Sequence, residues 1–371
     1  MELTDERRDL RDAVRGLLAQ QQRADPGDDM SLWRRLCGEI GVAGLAIPQR
    51  YGGAGAGPAE THIVMEELGR GLACSPLLGS AVLAAQALLA SGDTVACQRL
   101  LPAIADGSAV AALAWTTAAG HWEPGEAALA ARPAARTSAA PAVSSPDDWV
   151  LTGEAHHVLD GDRADVLLAA ARTPAGVALF EVDPRGRGVT REAVTTMDST
   201  RRLTVVRLDG APGRPIGAGT AEATLARARD LACIALSAEQ VGAAQRALEL
   251  TVAYTKVRVQ FGQAIGSFQA LQHRMAGLHV LVESARSLSY AAADAAAEGA
   301  ADLGLRAAAA KVYCSEALAR AAGEMIQLHG AIGITWEHGA HRYLKRAHGS
   351  AHLFGRPSEH IAAIAAAVID G

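Results

Sequence analysis

The chain has 371 residues, which is enough for two or three domains that each bury a core of their own. Half of the residues are apolar but only 4% are aromatic, so we expect aliphatic, alanine-rich cores. The net charge is −5 with both signs interspersed, and no apolar run approaches the ~20 residues of a membrane-spanning helix. We therefore expect neither a nucleic-acid partner nor a membrane span.

The cysteines predict a reducing environment. They are odd in number and scattered, namely Cys37, Cys74, Cys97, Cys233 and Cys314. Because the chain opens on charged residues, we expect no signal peptide. We expect free thiols in a cytoplasmic protein.

Residues 1–107 predict an N-terminal helical domain. Thr4 precedes three charged residues in the manner of a helix N-cap with acids in the first turn. The glycines after Tyr51 lie in a loop that no predicted strand precedes, so they do not form a dinucleotide-binding fingerprint.

Residues 108–217 predict a middle β domain, a sandwich or a barrel. Short apolar or alternating runs are punctuated by Gly, Pro and Asp, which is typical of strands. The expected strands are Val110 to Trp115, Val166 to Ala171, Val177 to Val182 and Leu203 to Leu208. The Ala/Pro/Ser-rich stretch from Ala130 to Pro146 predicts a surface loop.

Residues 218–371 predict a C-terminal four-helix bundle. The expected helices run from Thr220 to about Lys256, from Ser267 to Glu298 and from Asp302 to His329, and a more broken segment continues to Ile369. The predicted fold class is therefore α+β, with a helical domain, a β domain and a helical bundle in that order.

Two motifs flank this bundle's second and third helices. The first is RVQFG at residues 258–262, followed by IGSFQ at 265–269, and the second is QLHGAIG at 327–333. Together they resemble the R-x-x-F-G and Q-x-x-G-G/A-x-G elements of the acyl-CoA dehydrogenase family. The resemblance extends to LAIP at residues 45–48 and EELGR at 66–70.

The resemblance implies a reaction and a cofactor. Family members use FAD to remove an α-proton and a β-hydride from an acyl-CoA or acyl-carrier thioester, leaving a trans-2-enoyl product. They pass electrons to an electron-transfer flavoprotein-like acceptor, and their flavin is shared between the subunits of a tetramer. The cofactor-binding residues implied here are Thr116, Arg258, Gln260, Phe261, Gln269, Gln327, Gly330 and Ala331.

Each of the bundle motifs also has a plain structural interpretation. The guanidinium of Arg258 suits a pyrophosphate, but it could equally cap the carbonyls of the preceding helix. Gly330 allows close approach of a ligand to the backbone, but a glycine there is also an ordinary helix stop.

The rest of the family's flavin and base positions are altered. Thr117 and Ala118 stand where relatives carry Glu-Pro, and Leu159 stands where they carry a threonine near the flavin. Phe354 occupies the usual position of the catalytic glutamate, and Ala232 occupies the position that a minority of relatives use instead.

Glu239 is the candidate base that this chain keeps. It lies seven residues after Ala232, hence two turns along the same helix face. A carboxylate on an inward face is costly unless it is paired or functional. The alternative is an ion pair with Arg246 or with a residue of another helix. Asp230 is a weaker candidate, because acids near a helix start usually serve the helix dipole.

Two functions therefore stay open. The chain is either an FAD-dependent acyl-CoA dehydrogenase with Glu239 as its base, or a partner subunit that completes a flavin site in another chain. Flavin oxidases and monooxygenases of this fold are a further alternative. The histidines at 338, 341, 348 and 352 are interpreted as surface or interface residues, because nothing in the pattern supplies a third defined zinc ligand.

Overall fold

The computed structural model describes residues 4–21, 29–134 and 149–369. Within them, helices at both ends flank a barrel-like sheet, which confirms the predicted α+β class. The predicted domain boundaries fall between the last helix of the first part and the sheet, and between the sheet and the long helix that follows it.

The N-terminal part is helical. Its α-helices are α1 (Asp5–Gln21), α2 (Asp29–Arg35), α3 (Pro58–Arg70), α4 (Ala85–Ala90) and α5 (Thr94–Ala105). Two π-helical segments, Leu36–Ile40 and Leu78–Ala84, continue α2 and precede α4. Helix α5 begins at an N-cap, since the side chain of Asp93 accepts a hydrogen bond from the amide of Ala96.

The middle part is a sheet that closes on itself. Its strands are β1 (Ala111–Ala114), β2 (Leu129–Pro133), β3 (Trp149–Leu159), β4 (Val166–Thr173), β5 (Gly176–Val182), β6 (Val189–Val194) and β7 (Leu203–Ile216). Strands pair in the order β4-β2-β3-β7-β5, and β5 also pairs with β4. This last pairing closes the ring, so the sheet forms a barrel around an apolar interior.

Three strands were not predicted from the sequence, and one of them corrects the predicted loop. Residues 130–133 belong to β2, which pairs with β3 and β4, and residues 135–146 of that predicted loop lie outside the described residues. The sequence pattern that would indicate a strand is weak here, because β2 buries only Leu129 and Ala131. Its partners on both sides come from elsewhere in the chain, and pairing of this kind overrides local propensity.

The C-terminal part contains the long helices. They are α6 (Glu222–Val257), α7 (Gln269–Glu298), α8 (Leu303–His329), α9 (Ala340–His352) and α10 (Pro357–Ile369). The short strands β8 (Val259–Gln260) and β9 (Gln263–Ala264) form a hairpin between α6 and α7. The first three predicted helices thus have bounds close to those of α6, α7 and α8, and the broken fourth segment consists of α9 and α10.

Helix α6 is buried along most of its middle, because the N-terminal part packs on it directly. A Cβ atom at Gly69 of α3 would lie 1.9 Å from the carbonyl oxygen of Glu239, and one at Gly242 would lie 1.8 Å from that of Glu66. The two glycines let the backbones of α3 and α6 touch. This contact fixes the depth at which the Glu239 side chain enters the interior.

Among the residues that the structure describes, none of the helices combines the length and apolarity that spanning a bilayer requires.

Candidate functional site

The two bundle motifs meet in one surface groove. The groove has a volume of about 460 Å³ and lies where the end of α6 and the β8–β9 hairpin approach the end of α8. Of the predicted cofactor residues, it is lined by Arg258, Gln260, Phe261, Gln327, Gly330 and Ala331. The structure therefore brings Arg258 and Gln327 to the same surface although 68 residues separate them.

The hairpin presents an aromatic ring to solvent. Phe261 and Gly262 form its turn with φ of 53° and 79°, a left-handed pair that suits a two-residue hairpin. The Phe261 side chain is 92% exposed. An exposed phenylalanine at a hairpin tip is available to stack on a planar ligand or to enter another chain.

The structure gives different answers for the two structural interpretations, Arg258 as a helix cap and Gly330 as a helix stop. The side chain of Arg258 is exposed and makes no hydrogen bond or ion pair with the described part of the chain, so it does not cap α6. Gly330 does end α8, with φ of 65°, and it lines the groove as well. A helix stop and a groove wall are compatible at this residue, because both need a backbone without a side chain.

The groove includes residues that the sequence reasoning missed. Tyr254 lies one helical turn before Arg258, and His329 lies between two predicted members of the second motif. Arg274 on α7 is a second guanidinium at the groove, and it pairs with Glu324 at 2.6 Å. The i, i+4 spacing could have identified Tyr254, whereas Arg274 comes from a helix whose direction only the tertiary structure shows.

Two predicted cofactor residues lie elsewhere. Thr116 follows β1 in the middle domain, where it is buried and its hydroxyl donates to the carbonyl of His156 at 2.5 Å. Gln269 is the exposed first residue of α7 and is not one of the groove residues.

An aromatic cluster fills the interior between the barrel and the bundle. We call Trp115, Trp122 and Phe354 the aromatic plug. Trp122 meets Trp115 edge-on with ring centroids 5.6 Å apart, and it meets Phe354 at 4.9 Å. All three are at most 3% exposed, and Leu159 belongs to the same core. The residue at the family's usual base position is therefore an apolar side chain enclosed by others.

The turn that carries Phe354 is held from several sides. Phe354 has φ of 60°, an uncommon conformation for a bulky residue. Its carbonyl accepts a hydrogen bond from Nε2 of His360 at 3.0 Å. Just before the turn, the buried ammonium of Lys311 donates to the carbonyls of Ser350 and Ala351, the last turn of α9. Several independent contacts therefore hold this turn in its uncommon conformation, and they keep Phe354 in the aromatic plug.

Glu239 lies at a junction between the bundle and the β domain. It is 4% exposed, and its Oε1 contacts two guanidiniums, Arg346 Nη1 at 2.6 Å and that of Arg201. Arg346 belongs to α9, whereas Arg201 belongs to the segment between β6 and β7. The carboxylate therefore forms the ion pair with another helix that the sequence left open.

The partners of Glu239 are themselves fixed. Arg346 is 2% exposed and contacts Asp198 Oδ2 at 3.1 Å and the carbonyl of Thr200 at 2.7 Å. Burial lowers the pKa of Arg346, but the Glu239 and Asp198 carboxylates outweigh it and the net shift is upward. We name the set Asp198, Arg201, Glu239 and Arg346 the buried ion cluster.

The other groups that the sequence analysis considered have these surroundings. Arg246 pairs with Glu249 at 3.2 Å and not with Glu239. Burial raises the pKa of Asp230, which lies 3.9 Å from Arg229. The five cysteines are free thiols, and burial raises the pKa of Cys233 and Cys314 to about 12. Such thiols stay protonated and are poor nucleophiles at neutral pH.

The two halves of an implied flavin site fit FAD differently. At the groove, an exposed guanidinium, an exposed aromatic ring and backbone at Gly330 suit a pyrophosphate and a planar base. At the plug, buried rings fill the interior and the Thr116 hydroxyl is already bonded to backbone. The groove fits the dinucleotide end of FAD, and the plug does not fit the isoalloxazine end.

Comparison with known proteins gives this architecture a family. The family model "Acyl-CoA dehydrogenase, N-terminal domain" matches residues 4–108, and "Acyl-CoA dehydrogenase, C-terminal domain" matches residues 216–369. The chain belongs to the acyl-CoA dehydrogenase family. Members are flavin oxidoreductases that bind FAD.

Two similar relatives are full-length matches. The chain is 40% identical to acyl-CoA dehydrogenase IpdE2 of Mycobacterium tuberculosis over 364 residues, covering 96% of this chain and 95% of the relative. It is 36% identical to IpdE2 of Mycolicibacterium smegmatis over 375 residues, covering 99% and 100%.

Solved structures with the same fold include complexes of two named components. The Tcur3481–Tcur3483 steroid ACAD matches with a TM-score of 0.85 and 30% identity, covering 100% of this chain and 99% of the other. The ChsE4–ChsE5 complex of Mycobacterium tuberculosis matches with a TM-score of 0.84 and 29% identity, covering 100% of both chains.

Proposed function

We propose that this chain is a non-catalytic partner subunit of a heteromeric acyl-CoA dehydrogenase, whose groove completes the adenosine diphosphate end of an FAD held mainly by another chain. Bound FAD supplies the hydride chemistry of such an enzyme. The part played by this chain is to bind and orient the cofactor. We also propose that the assembled enzyme is cytoplasmic and passes its electrons to an electron-transfer flavoprotein-like acceptor.

The aromatic plug is the observation that carries the proposal. Dehydrogenation of an acyl thioester needs a carboxylate over the α-carbon and room for a substrate beside the flavin ring. In this chain the usual base position is Phe354, which is fully buried against Trp122. Opening that space would expose large aromatic surfaces that contribute several kcal/mol of burial, on the order of 2–3 kcal/mol for each ring.

The groove supports the proposal that this chain completes an FAD site together with another chain. Large apolar side chains remain exposed in the groove or near it in sequence: Val257, Val259, Phe261, Ile332, Ile334 and Trp336. Isolated exposed apolar residues are ordinary, but a set of six in the segments 257–261 and 332–336 is typical of a protein interface. Arg258 lies within the first segment with its charge unpaired in the described structure. A second chain that brings a pyrophosphate would cover both features.

The similar structures support a heteromeric assembly. Tcur3481–Tcur3483 and ChsE4–ChsE5 are each named by two components, and this chain resembles chains of both across its whole length. Since the first is a steroid ACAD, we propose a steroid-derived acyl thioester as the first substrate to test with the assembled enzyme.

The other hypothesis makes the chain a dehydrogenase in its own right, with Glu239 as the α-proton base. It requires Glu239 to leave two buried guanidiniums and reach a substrate. Two guanidiniums hold this carboxylate in place, and removing it from its partners costs about 3–5 kcal/mol. The geometry therefore favours the partner-subunit proposal.

The deciding experiment compares the chain alone with the chain co-expressed with a relative that has a glutamate at the position of Phe354. Flavin absorbance, FAD per mole of protein and assembly mass are measured for both. We expect little FAD in the chain alone and a flavin-loaded hetero-oligomer in the mixture. Stoichiometric FAD in the chain alone, with bleaching on addition of acyl-CoA, would refute the proposal.

Matched arginine variants test the groove. Arg258→Ala should reduce the FAD content of the co-expressed complex. Arg306→Ala is the control, because Arg306 is also exposed but lies 24 residues before Gly330 on α8, about 36 Å along the helix. Equal FAD content in the two variant complexes would argue against a cofactor contact at Arg258.

A further inference from the structure

The groove contains a buried histidine whose hydrogen bonding is incomplete. His329 is 4% exposed and lines the groove with Arg258 and Gln327. Its ring lies in a stack, 4.3 Å from the ring of Tyr254 and 4.5 Å from that of His338. Within the described structure, its Nε2 is buried and has no hydrogen-bond partner.

The partner of the other ring nitrogen fixes the tautomer. Nδ1 of His329 lies 2.7 Å from the carbonyl oxygen of Met325. A carbonyl only accepts, so Nδ1 carries the proton and donates it. Burial and the neighbouring His338 lower the pKa of His329, so the ring is neutral at pH 7. Nε2 is therefore an unprotonated nitrogen that can only accept a hydrogen bond.

The neighbouring histidine does not change this assignment. Nδ1 of His338 accepts a hydrogen bond from the amide of Ala340 at 3.1 Å. The hydroxyl of Tyr254 donates to the backbone carbonyl of His329 at 3.4 Å and not to its ring. An acceptor left buried without a donor costs about 1–3 kcal/mol, so we look for its partner outside the described part of the chain.

We propose that Nε2 of His329 accepts a hydrogen bond from the adenosine part of the dinucleotide that occupies the groove. This inference rests on the proposed function. The guanidinium of Arg258 can bind the phosphates, and the exposed ring of Phe261 can stack on a base. Neither side chain can accept a hydrogen bond from a ligand N–H or O–H. The adenosine moiety offers two such donors, the exocyclic amino group of adenine and the hydroxyls of the ribose. His329 makes the groove selective for a ligand that donates at this point.

The test uses ADP as the probe and the full chain as the receptor. Calorimetry measures ADP binding to the wild type, to His329→Phe, which keeps a ring in the stack but removes the acceptor, and to His348→Phe as a control at an exposed histidine of α9 outside the groove. We expect His329→Phe to weaken binding about tenfold, as the loss of one hydrogen bond predicts, and His348→Phe to change it little. Inosine diphosphate and 2′-deoxy-ADP identify the donor, because the first lacks the amino group and the second lacks a hydroxyl.

A spectroscopic readout distinguishes a bond to the ligand from a structural role. In ¹⁵N-histidine-labelled chain, Nε2 of His329 should resonate as an unprotonated imidazole nitrogen and should shift when ADP is added. This measurement uses the wild-type protein, so it stands even if His329→Phe does not fold.

Two negative outcomes have different meanings. If ADP binds and Arg258→Ala weakens it, but the His329 resonance does not move and His329→Phe binds normally, the inference is wrong and the proposed function stands. If ADP at millimolar concentration does not bind the wild type, the inference is overturned, whereas the proposed function is decided separately by the FAD content of the co-expressed complex.

Discussion

The replacement of Glu239 by glutamine separates a structural carboxylate from a catalytic one. The substitution keeps the size of the side chain and removes its charge. Arg346 and Arg201, which both contact Oε1, then lose their shared anion in an interior where each is at most 10% exposed. Breaking a buried ion pair in this way costs about 3–5 kcal/mol.

The magnitude converts to a measurable shift in melting temperature. Unfolding entropy is about 2.1 cal/mol/K per residue, or roughly 0.8 kcal/mol/K for cooperative unfolding of the whole chain. The variant should therefore melt about 4–6 °C below the wild type in differential scanning calorimetry. Glu283→Gln on α7 is the control, since its pair with Arg286 is 3.4 Å long and Glu283 is 47% exposed. Such a pair contributes about 0–1 kcal/mol, so the control should melt within ~1 °C of the wild type.

A double variant checks the cause. If the cost comes from unpaired charge, Glu239→Gln combined with Arg346→Met should be less destabilised than the sum of the two single variants. The reasoning is refuted if Glu239→Gln melts like the wild type. If that variant also keeps its FAD and loses acyl-CoA-dependent bleaching, Glu239 is a base.

Three further predictions concern the packing of the core and its buried titratable groups. Gly242→Ala should destabilise the chain by more than ~1–3 kcal/mol, because its Cβ would lie 1.8 Å from the Glu66 carbonyl oxygen. The control Gly323→Ala has open space around its Cβ and should be neutral or stabilising in the same melting assay. Burial lowers the pKa of Lys311 to about 8, so its protonation opposes folding; wild-type stability in urea titrations should rise from pH 8 to about 10.5, and Lys311→Met should lack this rise. Burial lowers the pKa of His62 to about 3, so the stability that depends on the neutral ring is lost as the pH falls below about 6.5. His62→Leu should therefore lose less stability than the wild type between pH 6.5 and 4. Parallel curves of stability against pH for the two proteins would contradict the lowered pKa of His62.

Local patterns in the sequence determined much of this protein. The three long helices could be predicted because their apolar periodicity extends over many turns. The resemblance of the motifs at 258–262 and 327–333 to those of the family implied that Arg258 and Gln327 serve one surface, and the structure has both lining one groove. Each motif lies at a helix end, where the local chain direction is set by nearby residues.

The tertiary structure alone decided the surroundings of the altered positions. Glu239 could be identified as a buried carboxylate, but its partners are 107 and 38 residues away in the chain. No local pattern relates such distant residues, and the charge balance of the interior depends on how α9 and the β6–β7 segment pack. The aromatic plug likewise joins residues from the middle and the end of the chain. A missing glutamate can be seen in the sequence, whereas the rings that fill its space become neighbours only after folding.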